Sequence, residues 1–530
     1  MQNFYESIGV PPPKLSPEER LVRRMMWRND RTFYLRKCDL SGKQMVSIYP
    51  VKTPFPVYHP DDWYGDKWEP LKFGRDFDFS RPFFEQWHAL MLQVPRLGID
   101  IVNCENSYYC NYCGDDKNCY LDIAGEANED SYFNLFIKYS KNCVDSTFVY
   151  NSELCYELLH SYNCYHVLYS MYLENCSDCS FCFDLKGCKN CLFCSNLRQK
   201  EYHILNKPCT REEYELKLKE LNFGSYISMQ KAIALFKDVM RKAIHRDMYN
   251  FNSENCTGDN IKNSKNCSFV FNASNCEDCM YLYDVLDAKD CQDLNYSLYH
   301  PEKSYELIST LSMKFCAFCM ASHYCNNVYY CDMCNNSSDL FGCIGLNHKK
   351  YCILNKQYSQ EEYEALKARI TLHMQKTGEW GEFFPPEISP FGYNEVVANE
   401  YFPLTREEAL QKGYRWAEKD PSNDYQGPRV DIPDNISDVP QDITKQILQC
   451  EISGKFYKIT PHELKFYRQM NLPLPRRCPD QRHIDRMALR NPRRLWQRTC
   501  AKCGGAILTS YAPDRPEIVY CEECYLKEVY

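Results

Sequence analysis

Between residues 100 and 356 apolar and polar positions recur in a short rhythm. An Asn-Cys or Asp-Cys pair precedes a brief alternating or aromatic run, and then another pair follows. The pairs include Asn142-Cys143, Asn163-Cys164, Asn175-Cys176, Asn190-Cys191, Asn255-Cys256, Asn266-Cys267, Asn275-Cys276 and Asp290-Cys291, several of them 9 to 12 residues apart. Asparagine tolerates the left-handed backbone of a tight corner. Cysteine behaves as a small buried hydrophobe. The pattern predicts a stacked β-solenoid, with Cys, Ser or Ala pointing inward and Tyr or Phe covering the outside.

Two internal repeats set the domain order. KEYHILNKPCTREEY (200–214) matches KKYCILNKQYSQEEY (349–363) at an offset of 149 residues. Each reads as a strand and then a helix, with Thr210 and Ser359 as N-caps and a Glu three residues later completing a capping box. The middle is therefore a tandem duplication, copy 1 over 100–224 and copy 2 over 250–370, joined by a helical linker over 225–249. The second repeat aligns Arg20–Tyr58 with Arg482–Tyr520 without gaps, an Arg-rich helix and then a ribbon. This predicts a degenerate ribbon module over 1–60 and a zinc-ribbon module over 482–530. Three further segments complete the expected order: a Trp-rich connector with a helix (61–99), a Pro/Asn-rich connector (371–440) and another degenerate ribbon (441–481). The fold class is a mainly β, multidomain chain.

Charge adds a functional hint. Net charge is −8, yet residues 20–37 hold seven Lys/Arg against one Asp, and residues 476–502 hold nine against two. An acidic body with two basic arms results. No stretch resembles a secretory signal or a membrane helix, so a cytoplasmic location is expected, where the 33 cysteines would be reduced thiols or metal ligands.

Cys500-x2-Cys503 and Cys521-x2-Cys524 form two knuckles separated by seventeen residues. Zinc takes four soft ligands at tetrahedral corners, and this spacing supplies them with no position left open for water. The expectation is a structural Zn, with AILTSY and EIVY forming the hairpin that joins the knuckles. The aligned N-terminal copy has Cys38, Ser41, His59 and Asp62 instead and is expected to hold no metal. Cys450 and Cys478 sit in a third such layout that has lost a cysteine from each knuckle. Cys176, Cys179, Cys182, Cys188, Cys191 and Cys194 crowd into nineteen residues. They read as solenoid interior, with a second metal centre or iron–sulfur cluster as the alternative; the gap of five and the missing Pro depart from a ferredoxin run.

Arg482, Arg486, Arg490 and Arg494 are four apart, and Arg20, Arg24 and Arg28 repeat the spacing. On a helix each set makes one stripe, suited to phosphate contacts or to the acidic body of the same chain. Pro492 should kink or restart the C-terminal helix near Arg490. Walker A, GxGxxG, HExxH and GxSxG motifs are all missing.

The segment from Cys343 to Tyr363, the run Phe73–Phe84 and Cys478-Pro-Asp-Gln-Arg482 resemble segments of a family of large cysteine-rich, zinc-ribbon proteins from small-genome bacterial lineages. The resemblance covers most of the chain and implies architecture rather than activity. The family's knuckles are complete, as CxxC and CPxCR; this chain departs from them at Ser41, Ser453 and Gln481. The reading that results is a non-enzymatic zinc-binding scaffold with a protein partner and no membrane. Its alternatives are a nucleic-acid-binding regulator acting through the Arg arms, and a metal-cluster or redox enzyme using 176–194.

Overall fold

A computed structural model describes residues 2–418, 427 and 430–530. Part of the 371–440 connector lies outside the described residues. The chain is multidomain, with many short strands and, among the described residues, twelve α-helices. It divides into two compact units. Unit 1 comprises Met1–Asp100, Met248–Lys419 and Arg493–Leu495; unit 2 comprises Ile101–Asp247, Asp420–Pro492 and Trp496–Tyr530.

In unit 2 the backbone turns left-handed at every third residue from Asn103 to Leu205, Gly187 included. Successive stretches then lie parallel at an offset of twelve residues, as in Leu135↔Thr147, Leu159↔Met171 and Met171↔Phe183. A left-handed residue other than glycine costs about 1–2 kcal/mol. The ladder offsets that cost by using every backbone group at the corner. The Asn142 amide donates to the Glu129 carbonyl at 3.0 Å, and the preceding Lys141 amide donates to the Ser152 carbonyl at 2.9 Å.

The residue after each corner points inward. Ile137, Cys143, Val149, Cys155, Leu158 and Cys164 are among those that form the core of this unit. Small polar side chains suit these positions for a second reason, since they satisfy the remaining backbone groups. Ser131 Oγ accepts from the Cys143 amide at 3.2 Å, and the Cys143 thiol reaches the Ser152 carbonyl at 3.4 Å. Corner amides also stack, as from Asn163 Nδ2 to Asn175 Oδ1 at 3.0 Å. All eight Asn-Cys and Asp-Cys pairs singled out in the sequence have the Asn or Asp at positive φ.

Unit 1 builds the same ladder from its own stretch. Eleven strands between Asn250 and Gln357 follow sequence order in one sheet, parallel until the final antiparallel pair. The offset is twelve at Phe271↔Tyr283 and thirteen at Gln292↔Tyr305, where both Tyr299 and His300 turn left-handed and one residue is inserted. The core runs from Ile261 to Cys352.

The helices fall where caps placed them. Thr210 and Ser359 close capping boxes on Arg211–Leu221 and Gln360–Thr377, Thr405 on Arg406–Gln411 and Thr460 on Pro461–Gln469. The linker helix spans Tyr226–Lys242, and the helix of the 61–99 connector spans Phe83–Met91.

Candidate metal centre

Three segments share one knuckle. In each a two-strand hairpin leads to a cysteine: Tyr34–Lys37 with Gln44–Ser47, Leu448–Gln449 with Phe456–Tyr457, and Trp496–Thr499 with Ala506–Thr509. The amide of Cys38, Cys450 or Cys500 then donates to the carbonyl five residues on, at 2.8 Å in all three. A glycine at positive φ closes the turn: Gly42, Gly454 and Gly504, at φ 74°, 68° and 73°. This left-handed position is why glycine stands there. The second half of each site begins a helix, with His59, Cys478 and Cys521 as the N-caps of Pro60–Trp63, Pro479–Met487 and Glu522–Val529.

Only the C-terminal copy brings four sulfurs together. One ligand atom each from Cys500, Cys503, Cys521 and Cys524 lies within 4.8 Å of all the others, and Cys503 Sγ is 3.9 Å from Cys521 Sγ. Ile507, Tyr511 and Val519 pack beneath them. The Cys521 amide donates to Cys500 Sγ at 3.3 Å. Burial pushes the Cys500 thiol up, but amides of Cys503, Cys521 and Lys502 outweigh it and bring the thiol down to about 6. A thiolate-favouring pocket with four converging sulfurs fits a soft, tetrahedral metal ion.

The other two copies are closed differently. At the N-terminus Ser41 Oγ donates to Asp62 Oδ2, and the Cys38 thiol reaches the same oxygen at 3.2 Å. In the middle copy Ser453 Oγ lies 3.6 Å from Cys478 Sγ, and the Ser453 amide donates to Cys450 Sγ at 3.5 Å. Neither Cys450 nor Cys478 joins a group of three ligand atoms among the described residues.

The six cysteines 176–194 do not converge as a metal centre would require. Cys176, Cys179 and Cys182 line one coil, and Cys188, Cys191 and Cys194 line the next. Each thiol is directed at backbone carbonyls, as Cys182 at Ser180 O (3.2 Å) and at Cys191 O (3.4 Å). No three of these sulfurs form a ligand group among the described residues. Their crowding follows from the three-residue spacing of interior positions.

The arginine stripes end early. The helices span Pro17–Met25 and Pro479–Met487, so Arg28, Arg490 and Arg494 lie beyond them. The expected four-residue stripe is cut at its second arginine, ahead of Pro492, and the aligned N-terminal helix stops at the equivalent Met25 although Asp30 stands where Pro492 does. The remaining guanidiniums point inward. In unit 2 Arg482 pairs with Asp145 (3.1 Å) and Glu463 (3.3 Å), and Arg486 with Asp145 (2.9 Å) and Glu157 (3.4 Å). In unit 1 Arg20 pairs with Asp293 (2.8 Å), and Arg24 with Asp293 and Glu306 (both 3.2 Å). Arg28 is buried beside Asp30, 4.1 Å above the Tyr296 ring. Arg490 is half-buried over Phe148, and Arg494 is exposed beside Glu18. A phosphate-binding row therefore does not form on either helix.

The hairpin expected between AILTSY and EIVY is also absent. Ala506–Thr509 pairs back with Trp496–Thr499, whereas Ile518–Tyr520 pairs in parallel with Ile244–Arg246 of the same unit. Periodicity alone could not find that partner, which lies more than 270 residues away. The carboxylates Asp145, Glu157, Asp293 and Glu306 were missed as well. Their signal was the duplication itself, since the partners of Arg486 recur as the partners of Arg24 at offsets of 148 and 149.

No helix is long and apolar enough to cross a membrane among the described residues. No family model matches the chain, and no curated protein matches it. Among solved structures it is similar to a Desulfovibrio desulfuricans G20 protein proposed to be an acetyltransferase, at 8% identity over 52% of this chain and 79% of that one, with a TM-score of 0.12. A superposition that poor bears on neither fold nor activity.

Proposed function

We propose that the protein is a non-enzymatic scaffold of two β-solenoid units, the second finished by a structural zinc ribbon. The observation that carries this reading is the convergence of Cys500, Cys503, Cys521 and Cys524 within 4.8 Å. Four cysteine ligands leave no open position for water or substrate, so the ion holds structure and performs no chemistry. The stacked coils support the scaffold part. Their interiors are filled, while aromatic side chains such as Tyr108, Tyr139 and Tyr165 of unit 2 and Phe269, Phe315 and Tyr324 of unit 1 remain exposed at separate positions around the coils. None of the 33 cysteines is in a disulfide, which suits a reducing cytoplasm.

The test is cobalt substitution of the full chain. The cobalt protein should show the strong sulfur-to-metal absorption of a tetrathiolate, and Cys521→Ser should abolish it while the far-ultraviolet β signal persists. Retention of that absorption in Cys521→Ser would overturn the ligand assignment. Stoichiometric iron that is lost on Cys182→Ser, and so is bound by the cysteines 176–194, would overturn the non-enzymatic reading.

A further inference from the structure

One coil of unit 2 has an interior unlike its neighbours. Its inward positions, three residues apart, are Asp116, Cys119, Asp122 and Gly125. Asp116, Cys119 and Asp122 are no more than 1% exposed, and one ligand atom from each lies within 4.8 Å of the other two. The fourth position is glycine, and the space its side chain would take is filled by the neighbouring polar groups. A Cβ on Gly125 would stand 2.7 Å from Asp122 Oδ2 and 2.8 Å from Asp116 Oδ2. Gly125 is not at positive φ, so the residue is required by space and not by backbone conformation. It makes room for two carboxylates aimed at the same point.

The next coil satisfies only half of their oxygens. The Asn128 amide donates to Asp116 Oδ1 at 2.9 Å, and Asn128 Nδ2 donates to Asp122 Oδ2 at 3.1 Å. Asp116 Oδ2 and Asp122 Oδ1 are fully buried with no hydrogen-bond partner. An unpaired buried carboxylate is among the costliest groups a core can hold, and paired or metal-bound charge is the usual remedy. The stacking itself does not call for acids here. The matching coil of unit 1, 148 residues on, carries Ser264, Cys267, Val270 and Ala273.

We propose that Asp116, Cys119 and Asp122 hold a divalent transition cation inside this coil. Two carboxylates and the Cys119 thiolate offer three anionic donors to a dication, and the sulfur selects the zinc, cobalt or ferrous class over magnesium or calcium. The site is independent of the C-terminal cysteines and shares no ligand with them.

Metal content of the untagged full chain tests it. Asp116→Asn with Asp122→Asn should lose one equivalent of metal, Cys521→Ser should lose a different one, and the combination should lose both. Unchanged metal content in the Asp116→Asn/Asp122→Asn protein overturns the proposal. Should that protein fail to fold, cobalt-grown Cys521→Ser protein supplies the second reading. It should keep a weak sulfur-to-cobalt band, which Cys119→Ser removes. A Cys521→Ser protein without cobalt, or a band that survives Cys119→Ser, overturns the inner site. The loss of metal with Asp116→Asn/Asp122→Asn is read independently of the ribbon assignment, and the cobalt arm reads the inner site once Cys521→Ser has removed the ribbon's own absorption.

Discussion

Arg486 forms a buried ion pair with Asp145 across 2.9 Å, and the contact is made twice in this chain. Its counterpart is Arg24 with Asp293, 3.2 Å apart, in unit 1. The neighbours match as well. Arg482 lies over Phe133 where Arg20 lies over Tyr281, and Arg490 over Phe148 where Arg28 lies over Tyr296. Each unit therefore docks one arginine helix onto the equivalent corner residues of its own stack.

Removing one side of such a buried pair leaves the other charge uncompensated. Asp145→Ala takes the shared carboxylate from Arg482 and Arg486, leaving each with one partner, Glu463 or Glu157, and should destabilise unit 2 by about 3 kcal/mol. Urea unfolding followed by circular dichroism reads this as a lowered midpoint. A midpoint within error of wild type would mean the pair contributes nothing.

Burial of these arginines limits binding to nucleic acid. Only Arg490 and Arg494 of the seven retain exposure in the described structure. With about two phosphate contacts, the logarithm of affinity for duplex DNA should fall against that of salt with a slope near −2 or shallower. Fluorescence anisotropy across a salt series measures it. A slope of about −6 would restore the Arg arms as a phosphate row.

The left-handed corners can be probed at Asn142, whose φ is 50°. Asn142→Gly should be close to neutral, because glycine adopts this conformation without penalty. Asn142→Val should cost about 1–2 kcal/mol or more. Equal denaturation midpoints for the two variants would contradict a left-handed corner there.

His245 makes unit 2 sensitive to acid. Burial lowers its imidazole from the usual 6.5 to about 4. Its Nε2 lies 2.8 Å from the Met240 carbonyl and its Nδ1 2.9 Å from the Tyr511 hydroxyl. The fold therefore favours the neutral ring. That stability is fully present above about pH 6.5 and is lost as pH falls toward 4, by up to ~3 kcal/mol. His245→Gln should flatten this part of the stability–pH curve. A curve of unchanged steepness would place the sensitivity in another group.

Loss of the C-terminal metal should be local. Cys521→Ser should expose the helix Glu522–Val529 to hydrogen exchange while the ladder around Cys155 stays protected, because their cores are separate clusters. Loss of protection at both would mean that the ribbon supports the whole unit.

Much of the architecture was legible in the residues. The four C-terminal cysteines were readable because a CxxC knuckle is local, with its glycine turn set by a single φ. The capping boxes at Thr210, Ser359, Thr405 and Thr460 were legible for the same reason. The Asn-Cys corners were found, but their true period of three was not. Tyr, Phe, His and Glu occupy corners as well as Asn, as at Tyr139, Phe148, His160 and Glu157. Their intrinsic preferences argue against that conformation, and only the stacked coils, by pairing each corner amide with the coil before it, make it affordable.

What the sequence determined by itself was local: the caps, the knuckles and which residues carry charge. The tertiary structure alone decided the pairings. It turned the arginines inward onto Asp145, Glu157, Asp293 and Glu306, and sent Ile518–Tyr520 to Ile244–Arg246. It spread the six cysteines 176–194 along two coils, and closed Asp116, Cys119 and Asp122 around one point. The reason is physical. A cap or a knuckle is fixed by neighbours within a few residues, whereas an ion pair or a parallel strand depends on distant chain brought near by the burial of a common core.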